Sequence, residues 1–281
     1  MWNFLPYSPR KSVPWRGIDL LLILFIYVFL QILVGLAVLP HFDANTLTAV
    51  PETSIAENEE IAQAHQIARM IILGQNYPFV FWLAFFAGVI VIPISEEFLF
   101  RLIFQGFLEK TEKHLHKNLF LALPRGAIAI ISLSAFFALL HVRSTENDVT
   151  NLDKVGDLNM LVSQMFVYLV FHMIFVASVS LYLIFARNAT LDDLGIRMSK
   201  ITDDITIGFA AAVLIIPPII AFISVLNTID PKIVWDPIPI FFLSLGLGFL
   251  YFRTHRIIPG IIVHCLLNGI SFFYVCAKVM G

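Results

Sequence analysis

Six polar side chains whose chemistry suits catalysis lie within or beside otherwise apolar stretches of this sequence. Ionised groups are costly in lipid, so glutamate, arginine and histidine in such stretches mark a functional site by default. The six residues fall in three motifs, each with a spacing of about one helical turn. They are Glu96, Glu97 and Arg101 in "SEEFLFR", His141 in "FFALLHVR", and His264 and Asn268 in "RIIPGIIVHCLLNGISFF".

The types of these residues fit the hydrolysis of an amide bond. A carboxylate in an apolar cavity can act as a general base that takes a proton from water, and a histidine beside it can hold the same water. A second histidine and an asparagine amide can donate hydrogen bonds to a developing oxyanion. We therefore expect Glu96 and His141 to activate water, and His264 and Asn268 to stabilise the oxyanion.

The two adjacent glutamates differ in their expected partners. Glu97 and Arg101 are four residues apart, so on a helix they share one face and can form an ion pair. A buried ion pair that fixes helix packing accounts for both of them without any catalysis. It does not account for Glu96, which is turned by about 100° and has no partner on its own helix.

Two other interpretations of the site, one with His172 and one with zinc, are less favoured. His172, in "FVYLVFHMIF", competes with His141, but we expect it to bond a neighbour on its own helix and keep it as a reserve site residue. Two histidines and a glutamate could bind zinc as a His2Glu site with an open position. Neither a serine nucleophile motif nor "HExxH" is present. Because Asn268 suits an oxyanion better than a metal, we expect no cofactor and keep zinc as the less favoured alternative.

The elements that must position these residues are membrane helices. The chain has 281 residues, of which 59% are hydrophobic and 14% charged, and a mean hydropathy of +0.86. A net charge of −2 and the lack of a basic run argue against a nucleic-acid partner. We predict an all-α fold, a polytopic transmembrane helical bundle of about seven to eight spans, that forms a single integral membrane domain over 1–281. The segments that meet the criterion for a span are 18–39, 78–94, 125–142, 160–186, 205–226, 238–252 and 257–277.

The charges of the loops predict the orientation in the lipid bilayer. Lysine and arginine accumulate on alternate loops beginning with the N-terminal one, and such loops face the cytoplasm. The N-terminus is therefore expected to be cytoplasmic, with 18–39 as a retained signal anchor. This pattern favours a bacterial plasma membrane, and an endoplasmic reticulum membrane would also fit it. Counted at about 1.5 Å per residue from the inner boundaries, the three motifs reach similar depths near mid-membrane.

The three motifs together resemble those of the CAAX-protease and bacteriocin-processing family of membrane proteins, which includes the CAAX prenyl endopeptidase. That family is similar in carrying EExxxR, FxxxH and HxxxN in this order on separate spans. The resemblance covers a motif-bearing core, 78–142 and 238–278, whereas the intervening segment 143–237 is atypical. It implies an intramembrane glutamic endopeptidase with the residue roles given above. Its substrate would be a peptide or a membrane protein near the inner face, with or without a prenyl group.

Two functions of other classes stay open. In a non-catalytic membrane scaffold or bacteriocin-immunity protein, the same polar residues would only lock helices together, and Glu96→Gln would leave function intact. In a transporter, Glu96 and His141 would form a proton relay. The lack of repeated half-domains makes the transporter the weakest of the three hypotheses.

Overall fold

A computed structural model describes residues 12–38, 77–118, 124–142, 158–229 and 237–280 of the protein. In these residues the regular structure is helical, and each of the seven predicted segments coincides with a helix. The predicted all-α polytopic fold class is therefore confirmed. The helices are α1 (Gly17–Val38), α2 (78–118), α3 (Ala127–Leu139), α4 (Leu158–Arg187), α5 (Ile201–Ile229), α6 (Pro237–Thr254) and α7 (Ile258–Met280).

Six of these helices are long and apolar enough to cross a membrane, which makes the chain an integral membrane protein. The exception among the seven is α3, which has 13 residues where a full span was predicted over 125–142. It begins only after Gly126, whose backbone is left-handed with φ of +83°, and it ends before His141. The left-handed backbone keeps residue 126 out of the helix, and only glycine suits it, since a side chain there would also collide with the Phe252 ring.

Helix α2 widens to π-helix in two places. It starts as an α-helix over Pro78–Phe85, widens to π-helix over Phe86–Val91, and returns to α-helix over Ile92–Glu96. A second π-helical stretch covers Glu97–Gln105, followed by α-helix over Gly106–Asn118. A π-helix inserts extra residues per turn and is frequent at functional sites. Here the second π-helical stretch carries both Glu97 and Arg101.

The described helices belong to two compact units. The first unit takes its residues from 1–24, 96–143 and 178–264, and the second from 25–95, 144–177 and 265–281. The single domain expected from the sequence stays a prediction.

The second unit has an apolar core rich in aromatic rings. Val80, Ala84 and Ala87 of α2 are buried against Met165 of α4 and Phe272 of α7. Small alanines alternate with large rings here, which lets side chains of neighbouring helices interdigitate. This packing fixes the beginning of α2 against the end of α7.

In the first unit, the end of α2 holds the beginning of α3. The carboxylate of Glu112 accepts hydrogen bonds from the backbone N–H groups of Gly126, at 2.9 Å, and Ala129, at 3.3 Å. The first N–H groups of a helix lack partners within it, and an acceptor with negative charge suits that position. Glu112 therefore sets where α3 starts, and with it the level that His141 reaches.

A short segment between α4 and α5 supports the turn that precedes α7. Its sequence, "ATLDDLGI", belongs to the intervening part that the sequence marked as atypical. The backbone N–H of Ile257 donates to the carbonyl of Gly195 at 3.2 Å, and Gly195 itself is left-handed with φ of +72°. Asp204, fully buried at the start of α5, forms an ion pair with Arg256 in the same turn. These contacts fix the direction in which α7 leaves the turn.

The segment before α1 is bound to the second π-helical stretch. The indole N–H of buried Trp15 donates to the carbonyl of Ile103 at 3.1 Å. Lys110 Nζ donates to the carbonyls of Val13 and Trp15, each at 2.9 Å. The Ile103 carbonyl also accepts from the backbone N–H of Gly106, so the Trp15 indole is a second donor to it.

Candidate active site

Glu96 stands between two histidines of the first unit. Its Oε1 lies 4.0 Å from Nε2 of His141, and its Oε2 lies 3.5 Å from Nε2 of His264. Both distances exceed the usual range of about 2.7–3.2 Å for an N–H···O hydrogen bond, and at 4.0 Å the Glu96 and His141 atoms can both bond one bridging water. The structure therefore brings together three residues that belong to three separate motifs of the sequence.

The tautomer of His141 follows from its other ring nitrogen. Nδ1 lies 2.8 Å from the carbonyl of Phe137, and because a carbonyl can only accept, Nδ1 carries the hydrogen and donates it. In the neutral imidazole, Nε2 then has a lone pair, and this lone pair is on the side of Glu96. The Phe137 ring lies against the imidazole, with 4.6 Å between ring centroids. With the "FxxxH" spacing, Phe137 thus orients His141 through both the Phe137 carbonyl and the Phe137 ring.

His264 contacts both glutamates. Its Nδ1 lies 3.2 Å from Oε1 of Glu97, in addition to the contact of Nε2 with Glu96. It is buried within the described residues, whereas its partner Glu96 keeps 23% of its side chain exposed. The sequence pointed to Asn268 as the companion of His264, and the structure adds a direct contact with the glutamate motif.

Glu97 and Arg101 form the predicted ion pair, with 3.5 Å between Oε2 and Nε. Both side chains are at most 2% exposed. Arg101 also donates from Nη2 to the Ser244 hydroxyl of α6 at 2.7 Å, and its guanidinium lies 5.8 Å from the centroid of the Phe137 ring. A buried charge needs such partners, because an unpaired one is costly. Glu97 is therefore held between Arg101 and His264, while Glu96 is the accessible carboxylate.

Gly260 of α7 makes room for the Glu97 carboxylate. A Cβ at position 260 would lie 2.7 Å from Oε2 of Glu97, closer than such atoms approach in proteins. Any side chain there would push Glu97 away from His264 and Arg101. Glycine permits this close approach of a polar group to a helix backbone.

Asn268 belongs to the second unit, where its amide has a backbone partner. Nδ2 donates to the carbonyl of Gly88, in the first π-helical stretch of α2, at 2.9 Å. An asparagine amide has two N–H hydrogens, so this bond uses one of them.

His172, the reserve residue, also lies in the second unit. Its Nδ1 donates to the carbonyl of Tyr168 at 2.7 Å, which is the bond to a neighbour on its own helix that the sequence predicted. Within the described part of the chain, no carboxylate lies within ion-pair distance of it.

A metal site is not formed by the side chains as they stand. Among residues that the structure describes, no three histidine, cysteine, aspartate or glutamate side chains are grouped as ligands of one ion. The absence of a cofactor stays a prediction.

Two contributors to the site were not singled out from the sequence. Ser244 is a lone small polar residue within an apolar span, "FFLSLGLGF", and that isolation is a signal that could have identified it. Gly260 follows the proline of α7 and resembles an ordinary residue of a helix start, so no local signal identifies it.

A comparison with known families gives one result that covers most of the site. The model of the family described as type II CAAX prenyl endopeptidase Rce1-like matches residues 78–192 and 184–270. The two matches overlap and extend through the intervening segment. No curated protein and no solved structure matches the chain. Because the family model covers well over half of its length, the chain belongs to the type II CAAX prenyl endopeptidase Rce1-like family.

Proposed function

We propose that the protein is an intramembrane glutamic endopeptidase in which Glu96 is the general base. The observation that carries this proposal is the position of Glu96, an accessible carboxylate between the Nε2 atoms of His141 and His264. Membership of a family of CAAX-type membrane proteases supports the reaction class.

His141 and Glu96 hold the attacking water. One hydrogen of the water is donated to the lone pair on Nε2 of His141, and the other to Oε1 of Glu96. The 4.0 Å between these two atoms is too long for a direct bond and suits a bridging molecule. Glu96 takes the second hydrogen as the water oxygen attacks the scissile carbonyl carbon.

His264 and Asn268 stabilise the oxyanion that forms on the carbonyl oxygen. For Nε2 of His264 to donate, it must carry a hydrogen in addition to the one on Nδ1, and the resulting imidazolium charge is balanced by Glu97 at 3.2 Å. Asn268, four residues later in α7, contributes the N–H that Gly88 does not use. Loss of one such donor typically costs about 10²–10³ in kcat.

The proton taken by Glu96 then returns to the leaving group. As the C–N bond breaks, Glu96 donates its proton to the nitrogen, and the products are a carboxylic acid and an amine. The acid then loses its proton to the solvent or to the amine and leaves as a carboxylate. Arg101 does not enter these steps, because Glu97 and Ser244 engage it, and it acts by holding Glu97 in place.

We propose a substrate with a peptide bond near the inner membrane face, in either a peptide or a membrane protein, and a prenylated C-terminal tail is the version that the family name favours. We further propose that no metal takes part. A chelator would then leave the rate unchanged, and a chelator-sensitive rate restored by zinc would establish the His2Glu alternative.

We also propose an orientation in the bilayer and the type of membrane that holds the protein. Alternating loop charge supports a cytoplasmic N-terminus and a bacterial plasma membrane. Reporter fusions at loop positions test the orientation, and an external N-terminus would overturn it.

The test of the proposed activity uses purified protein in detergent and quenched-fluorescence peptides with and without a prenyl-cysteine tail. We expect the wild type to cleave and Glu96→Gln to lose cleavage, because an amide cannot take a proton from water. If no peptide is cleaved and Glu96→Gln supports growth as the wild type does, a scaffold or immunity role replaces the protease.

A further inference from the structure

The first π-helical stretch of α2 contains a carbonyl that has lost its backbone partner. At the end of this stretch the N–H of Ile92 donates to the carbonyl of Ala87, five residues earlier. The next bond of the same register would run from residue 93 to the carbonyl of Gly88. Residue 93 is proline, which has no N–H, so this bond is not made.

The amide of Asn268 takes the place of the missing bond. Its Nδ2 lies 2.9 Å from the Gly88 carbonyl, and all three residues, Gly88, Pro93 and Asn268, belong to the same unit. Only the NH2 end of an asparagine amide can donate to a carbonyl, so the contact fixes which way round the amide lies. It also fixes the direction of the second N–H.

We propose that Pro93 is a positioning residue. Because proline has no N–H, the Gly88 carbonyl is left to accept from Asn268 and to orient its amide for oxyanion stabilisation. This inference rests on the proposed function for its kinetic consequence. The hydrogen-bond exchange itself does not depend on that function.

Replacing Pro93 by alanine tests the exchange. The substitution would bring a backbone N–H into register with the Gly88 carbonyl, where it would compete with Asn268. In full-length protein in detergent, we expect Asn268→Ala to lower the Tm of the wild type, because it leaves a buried carbonyl without a donor. In the Pro93→Ala background the same change should lower the Tm by less than half as much. Equal losses of Tm in the two backgrounds would overturn the proposal, whether or not the protein cleaves peptides.

The kinetic test asks whether Pro93 acts through Asn268. We expect Pro93→Ala to lower kcat by at least about tenfold with KM unchanged, since an oxyanion donor acts only in the transition state. The double variant should be no slower than Asn268→Ala alone. Pro218→Ala is the matched control, because Pro218 also lies within a membrane helix, and its kcat should stay that of the wild type.

The outcomes separate the two hypotheses. A multiplicative loss in the double variant, or a rise in KM in place of the fall in kcat, would exclude the positioning role. A wild type that cleaves no peptide would contradict the proposed function, and the Tm comparison would then decide on Pro93 by itself.

Discussion

The regions around His141 and His172 contain the same local arrangement with different surroundings. Each imidazole donates from Nδ1 to the carbonyl four residues earlier, at 2.8 Å for His141 and 2.7 Å for His172. Each also lies near the aromatic ring of the residue four positions earlier, Phe137 in the first case and Tyr168 in the second. Only His141 has a carboxylate, Glu96, opposite its other nitrogen in the described structure.

The difference shows that the tautomer of each histidine is set by the carbonyl four residues earlier in the chain. The chemistry open to each depends on the group that another helix places opposite its second nitrogen. A bond to the carbonyl one turn earlier satisfies one nitrogen and leaves the other with a lone pair. At His172 that lone pair has no charged neighbour among the described residues, and at His141 it is next to a potential base. The two histidines are therefore a matched pair for experiment.

The largest difference is expected between His141→Ala and His172→Ala. Loss of His141 removes one of the two groups that we propose to hold the attacking water, so kcat should fall by about 10²–10⁴. Loss of His172 should leave kcat within about twofold of the wild type, because its bond to Tyr168 serves only its own helix. Cleavage rates of the two purified variants check this, with the Tm of each to show that it is folded. Equal loss in both variants would remove the distinction between the two regions.

A smaller effect is expected when a side chain on α7 displaces Glu97, the neighbour of Glu96. Gly260→Ala would place a Cβ against Oε2 of Glu97 and displace it from His264. Crowding of this kind costs about 1–3 kcal/mol, and we expect kcat to fall about tenfold to a hundredfold with a lower Tm. The measurement is the cleavage rate together with the thermal unfolding curve.

Gly246→Ala is the control for this prediction. The nearest atoms to a Cβ there would be those of the flexible Ile215 side chain, with its Cδ1 at 3.1 Å. If Gly246→Ala is as slow as Gly260→Ala, crowding in general and not the position of Glu97 explains the loss.

The smallest effect is expected at the support of the second π-helical stretch. Trp15→Phe keeps an aromatic ring but removes the indole N–H that bonds the Ile103 carbonyl, which retains the N–H of Gly106 as a donor. Loss of one such hydrogen bond costs about 0.5–1.5 kcal/mol. We expect a lower Tm and a rate within a few fold of the wild type, because Glu97 and Arg101 keep their other partners. An unchanged Tm would show that the indole bond does not support this stretch.

The sequence predicted the features that depend on composition and on spacing within one helix. The seven helical segments follow from hydrophobic length, and the pairing of Glu97 with Arg101 follows from their four-residue separation. The bond of His172 to its own helix was predicted for the same reason.

Features that depend on a departure from regular winding were not predicted. A pattern of apolar residues records neither the two π-helical stretches nor the bond between Asn268 and the Gly88 carbonyl, which lies in register with the N–H that Pro93 lacks. The contact of His264 with both glutamates also could not be read from the sequence, because spacing gives no distance between separate helices.

The central claim is that the carboxylate of Glu96 acts as a base. A comparison of two single variants of α2, each of which loses one carboxylate, tests it most directly. Glu109 lies on the same helix and contacts a histidine too, with 3.2 Å between its Oε2 and Nε2 of His255. Single-turnover cleavage should be lost in Glu96→Gln, by about 10³-fold or more, and retained in Glu109→Gln at comparable Tm. Cleavage by Glu96→Gln at the rate of the wild type would contradict the account.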